Sequence, residues 1–198
     1  SDVGLFYSPQ LPPLVPDMLL GLDVQMARDL WKKKNRAYFV QVFGKPPELV
    51  VEIVSNKKGD ETGGKIRKYA QAGVKYYIIM DPQCLIQRDV LRIYELSGGQ
   101  YIPMIGRWLP HVGIGVTLWE GKFDGQHQLW LRWTDRDGNL ILTGHESNEK
   151  ERRRADAAEM SAETERRRAD AAEMSAETER RRAEALAEKL RQLGVDPG

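Results

Sequence analysis

Apolar residues come in short bursts along the first three-quarters of the chain, each burst closed by glycine, proline or a charged cluster. Glu48-Leu-Val-Val-Glu-Ile-Val-Ser55 is nearly continuous, as in a strand buried on both faces. Val74-Lys-Tyr-Tyr-Ile-Ile-Met80 repeats that character and stops at Asp81-Pro82. Between them a polar loop over 56–62 leads into a helix predicted over 63–72, with Gly73 at its left-handed C-cap. Strand, helix and strand within about 35 residues is the spacing of a βαβ unit with parallel strands. Upstream, residues 14–20 and 37–43 read as strands, and Pro9, Pro12, Pro13 and Pro16 keep the opening extended. Downstream, 90–96 and 100–105 read as a hairpin turning through Gly98-Gly99, with further short strands near 115–119, 128–133 and 139–142. The expectation is an α/β (α+β) domain with a mixed central sheet and few helices.

The last quarter obeys another rule. Residues 151–164 recur without change at 165–178, and a diverged third copy begins at Glu179. Fourteen residues are two heptads. Ala155, Ala158, Ala162, Ala169, Ala172, Ala176, Ala183, Leu186, Leu190 and Leu193 share a 3-4 seam, interrupted by Glu165 and Glu179. Pairs such as Glu163 with Arg167 and Glu177 with Arg181 stand four apart and favour helix. A long charged helix is predicted, either solvated alone or zipped as a coiled coil through its Leu-bearing end, with Gly194 and Pro197 ending it. The expected division is a globular domain over 1–146 and a repeat helix over 147–198.

Composition sharpens that division. All five Trp, seven Tyr and four Phe lie before residue 149, so only the first segment carries the large side chains of a packed core. The net charge of +1 gives no bulk argument for a polyanionic partner. Lys32, Lys33, Lys34 and Arg36, then Lys57 and Lys58, then Lys65, Arg67 and Lys68 form local basic clusters, whose ordinary role is a solvated surface. One cysteine, Cys84, excludes an intrachain disulfide and a thiolate cluster. No apolar run approaches the roughly 20 residues of a membrane helix and no signal peptide is visible, so a cytoplasmic setting is the default. The chain opens at Ser1 rather than Met, as a fragment or a processed chain does.

The chemistry suggested by the residues centres on Asp17, Glu52 and Lys65. Glu52 interrupts an apolar strand, where a carboxylate is costly unless paired or bound to a metal. Asp17 follows Pro16 at a strand, and Lys65 opens the following helix. Two carboxylates on neighbouring strands suit Mg²⁺, with Mn²⁺ as a substitute, leaving water positions open. Such an ion acidifies a water and neutralises charge on a scissile phosphate, while a lysine stabilises the transition state or orients the attacking water. The plainer alternative is that Glu52 faces solvent or forms a salt bridge with Lys65 and does no chemistry.

The stretch Pro47-Glu-Leu-Val-Val-Glu-Ile-Val-Ser-Asn56, followed by 64–82 from Gly64-Lys65 to Asp81-Pro82, resembles the Uma-type family of restriction endonucleases. Val15-Pro16-Asp17 is similar to that family's Pro-Asp element, and the Arg/Glu/Ala-rich tail ending in Leu-Arg-Gln-Leu-Gly-Val-Asp-Pro197 is similar to tails of its cyanobacterial members. The resemblance implies a PD-(D/E)XK nuclease core, DNA as partner and substrate, and Asp17 and Glu52 as metal ligands. Two features depart from the superfamily pattern. Val54 occupies the position two residues after the acidic ligand where a lysine is usual, so the resemblance points to Lys65 from the next helix, with Lys57 or Lys58 as substitutes. Most of the family's N-terminal helical part is also lacking.

Other motifs carry less. Gly59-Asp-Glu-Thr-Gly-Gly-Lys65 fits G-x-x-x-x-G-K, but Ile66 stands where the Mg²⁺-holding hydroxyl belongs and Asp60 and Glu61 would repel phosphates. Asp135-Arg-Asp-Gly-Asn139 with Glu146 has its glycine too early for a calcium loop and reads as a turn. His111, His127 and His145 lack ligand spacing, and Trp119, Trp130 and Trp133 read as sheet-face residues. The expected function is a Mg²⁺-dependent endonuclease acting on DNA. It is expected to work as a homodimer because two strands require two sites, with the C-terminal helix as a means of pairing. The competing function is a catalytically silent nuclease fold that binds nucleic acid or scaffolds a partner.

Overall fold

The computed structural model describes residues 3–25, 29, 32, 35, 37–56, 60, 61 and 63–192. It divides into two compact units, Ser1–Ile141 and Leu142–Gly198. The first is built on a five-stranded mixed sheet whose spatial order is β2 (Met18–Leu20), β4 (Leu49–Ile53), β5 (Tyr76–Met80), β6 (Leu91–Ser97) and β7 (Gln100–Pro103). Strands β4 and β5 are parallel and joined by helix α2 (Gly64–Ala72), as the spacing predicts, and every other neighbouring pair is antiparallel. Gly73 ends α2 in the left-handed conformation, φ 80°. Gly98 and Gly99, also at positive φ, turn β6 into β7.

Alternation along β4 and β5 sends successive side chains to opposite faces. Val50, Val54, Tyr77 and Ile79 pack with Tyr69 and Ala72 of α2 and with Leu5, Leu14 and Tyr38. Leu5 lies on β1 (Gly4–Phe6) and Tyr38 on β3 (Ala37–Phe39), which pair in parallel. On the other face Leu49, Val51, Tyr76, Ile78 and Ile93 meet Leu109 and Val116. Those two belong to a three-stranded antiparallel sheet of β8 (Trp108–Leu109), β9 (Ile114–Phe123) and β10 (Gln126–Thr134). The central strands are therefore covered on both sides, which is why they read as continuous apolar runs.

Three expectations are corrected. The apolar run 37–43 is a strand only to Phe39, because β1 offers three partners; Val40–Phe43 then forms a single helical turn, α1, ended by Gly44 at φ 74°. Residues 14–20 form a strand only from Met18, with Leu14 making an isolated bridge to Leu5. No strand forms over 139–142. The Asp135 carboxylate accepts from Asp137, Asn139 and the Asn139 amide, tightening the turn until a lone bridge between Thr134 and Leu140 remains.

Among its described residues the second unit is one helix, α3 (Gly144–Gln192), begun by a reciprocal cap between Thr143 and Glu146; Gly194 and Pro197, expected to end it, lie outside the described residues. The ion pairs Glu163–Arg167 at 2.6 Å and Glu177–Arg181 at 2.5 Å hold at their predicted four-residue spacing. Among the described residues no helix is long and apolar enough to cross a membrane.

Asp81, at the end of β5, is fully buried and accepts from the backbone N–H groups of Leu85, Ile86 and Gln87. Burial pushes its carboxyl up, but these donors outweigh burial and hold it below the usual carboxylate range. A carboxyl depressed in the folded state stabilises above its unfolded pKa of about 3.9 and loses that contribution as pH falls through the folded value. Asp81→Asn is therefore expected to cost about 1–3 kcal/mol at pH 7, a gap from wild type that narrows below about pH 4. Urea titrations at both pH values measure it.

Candidate active site

Strand β4 buries Glu52 to 2% exposure on the α2 side of the sheet. Two α2 side chains one turn apart reach it. Lys65 donates from Nζ to Glu52 Oε2 at 2.9 Å, and the Tyr69 hydroxyl donates to Oε1 at 2.6 Å. The i,i+4 spacing of Lys65 and Tyr69 places both on one helix face. Asp17 arrives from the other direction. Met18 pairs with Val51, so Asp17 stands one step further, opposite Glu52, where Pro16 cannot continue the ladder. The Asp17 carboxylate continues it instead, its Oδ2 accepting the Ile53 N–H at 2.7 Å.

The electrostatics follow the geometry. Burial pushes the Glu52 carboxyl up, the Tyr69 and Lys65 hydrogen bonds oppose burial, and the Asp17 charge adds to it, leaving Glu52 above the usual range. Burial also lowers Lys65, but the carboxylates of Glu52 and Glu61 outweigh it and hold the ammonium above the ordinary lysine value. Both directions hold together, since the ammonium gains two anions while Glu52 loses water. Tyr69 is raised by burial and by the adjoining Glu52 and stays a neutral donor.

Sequence reasoning did not single out Glu61 or Tyr69. Glu61 is 6% exposed, accepts from Lys65 through Oε1 at 3.2 Å, and has its backbone carbonyl held by the Tyr77 hydroxyl at 2.9 Å. Glu61, Lys65 and Tyr69 stand four residues apart, and that spacing was the available signal. The glycines of the P-loop-like string have a different use. A Cβ on Gly63 or Gly64 would run into the Asp60 carboxylate, so a fixed anion stands beside the start of α2, against the phosphates a nucleotide would bring. Lys57 and Lys58, the substitute lysines, lie outside the described residues, as do Lys33, Lys34 and Arg36 of the first basic cluster.

A family model described as "Uma2: Putative restriction endonuclease" matches residues 5–108, just over half of the chain. The chain belongs to the Uma2 family. The Uma2 match runs from β1 into β8 and takes in the elements that carry Asp17, Glu52, Glu61 and Lys65, and it stops before β9, β10 and α3. Neither a curated protein nor a solved structure matches the chain.

Restriction-endonuclease-like enzymes generally use divalent metals, and the donors of this Uma2 site can be tested for fit. Among the described residues no group of three or more His, Cys, Asp or Glu side chains is arranged to hold a metal. The oxygen donors at hand are Asp17 and Glu52, which suffice for an ion such as Mg²⁺ that keeps most of its waters. The fit has one condition: both Glu52 oxygens already accept hydrogen bonds, so Lys65 must yield Oε2 or share it.

Lys65→Met would strand two buried carboxylates. The expected loss is about 3 kcal/mol, at the lower end for breaking a buried pair because Lys65 keeps some contact with water. Adding Glu52→Gln should recover part of it. Urea unfolding followed by tryptophan fluorescence measures both, and a loss within about 1 kcal/mol would mean that solvent screens the pair.

Proposed function

We propose that this Uma2 protein is a Mg²⁺-dependent endonuclease that hydrolyses DNA phosphodiester bonds within a domain spanning residues 1–146, with Mn²⁺ able to replace Mg²⁺. Asp17 and Glu52 hold the ion and Lys65 assists. The observation that carries this reading is a lysine ammonium 2.9 Å from a carboxylate buried mid-strand, with a second carboxylate at the facing register position.

A divalent ion bound there supplies neutralisation of phosphate charge and a more acidic water. The residues do the rest. Tyr69 fixes the rotamer of Glu52 through Oε1. The Ile53 N–H fixes Asp17 through Oδ2. Lys65, a permanent cation in this setting, faces developing negative charge on the phosphate or orients the attacking water. Arg67 and Lys68, exposed on α2, offer contacts to the DNA backbone. Plasmid nicking with Mg²⁺ or Mn²⁺ tests the reading: Glu52→Ala and Asp17→Asn should each lower the rate on the order of 100-fold or more. Activity that survives Glu52→Ala would place the chemistry elsewhere.

A second reading rests on the same hydrogen bonds. With both Glu52 oxygens occupied, the fold could serve nucleic-acid binding or scaffolding without cleavage, and DNA retention by a wild-type protein that does not nick would favour it.

Cutting two strands calls for two sites, and α3 offers the means of pairing. Met160 and Met174 recur one repeat apart and are exposed, as is Leu186. A homodimer through residues 149–198 is proposed. Sedimentation should show a dimer for the whole chain and a monomer after removal of 149–198; a monomer in both cases would remove the proposal.

A further inference from the structure

We infer that Glu61 is a positioning residue for Lys65, keeping the ammonium at the site when Glu52 turns its carboxylate to a divalent ion. The inference rests on the proposed reading of Glu52 as a ligand. Its basis is an oxygen that the resting arrangement does not use. Glu61 Oε2 is buried and has no hydrogen-bond partner among the described residues, while Oε1 of the same carboxylate already accepts from Lys65. Buried carboxylate oxygens without a donor are uncommon because the lost hydration is not replaced. Glu61 is not loosely held: its backbone carbonyl accepts from Tyr77, a fully buried tyrosine of β5.

Lys65 has three donors, of which Glu52 and Glu61 each take one. Handing Glu52 to a cation takes away one anion and brings a second positive charge near the ammonium. Like charges repel, and a lysine with no other anchor would leave the site. The idle oxygen lets Lys65 exchange its bond to Glu52 for a second bond to the carboxylate it already touches. Glu61 is also four residues before Lys65, so the contact spans a single turn and does not depend on β4.

The test uses the full chain and Mn²⁺ alone. Binding is measured by calorimetry, and Lys65 accessibility by the rate of amine labelling read by peptide mass spectrometry. In wild type, Mn²⁺ should barely change Lys65 labelling. In Glu61→Gln, Mn²⁺ should bind with unchanged affinity and accelerate Lys65 labelling by about tenfold, the equivalent of one lost charge-assisted hydrogen bond. Glu61→Asp, which keeps the charge, should fall between them and serves alone if the Gln variant does not fold. Equal labelling in wild type and variant with Mn²⁺ bound overturns the inference and leaves the metal reading standing. Loss of Mn²⁺ binding in the Glu61 variants also overturns it, by making Glu61 a ligand. A wild type that binds no Mn²⁺ overturns the metal reading and the inference together.

Discussion

A carboxylate buried in the middle of a central strand is the constraint around which this domain is arranged. Glu52 cannot be hydrated at 2% exposure, so donors must come to it from the chain. Helix α2 brings two, Lys65 and Tyr69, and this fixes the helix in both register and rotation over β4. The requirement spreads outward. The loop before α2 must turn tightly enough to set Glu61 against Lys65, and Gly63 and Gly64 make room for Asp60 in doing so. Tyr77 on the next strand pins that loop through the Glu61 carbonyl. Beyond these polar contacts, the α2 face is packed by large apolar and aromatic side chains, Tyr38, Val50 and Ile79 among them.

Much of this was legible in the residues. The apolar runs around Val50 and Ile78 predicted buried strands, and the intervening helix with Gly73 at its end predicted a parallel βαβ unit. Glu52 stood out because a charge inside such a run demands an explanation. Lys65 followed as the first cation of the next helix, and the 2.9 Å contact joins the two. The paired charges of α3 were equally plain, since their four-residue spacing is a local property of helix geometry.

What was not legible depends on partners distant in sequence. Residues 37–43 are apolar enough for a strand throughout, yet β1 provides ladder partners for only three of them. Short apolar runs do not separate strand from helix without that information. Glu61 looked like an obstacle to phosphate binding; its four-residue spacing to Lys65 hints at the ion pair, but the hold of Tyr77, sixteen residues on, upon the Glu61 carbonyl is not visible locally. Nothing near Tyr69 in the chain marks its hydroxyl, which finds its acceptor, Glu52, only because β4 lies beneath α2.

The central claim is that Asp17 and Glu52 together hold a divalent ion beside Lys65. The most direct measurement is an anomalous difference map from crystals of the protein soaked with Mn²⁺. The account predicts a peak within about 2.3 Å of a carboxylate oxygen from each of Asp17 and Glu52. A fully bound ion lying elsewhere, or touching neither carboxylate, would contradict it.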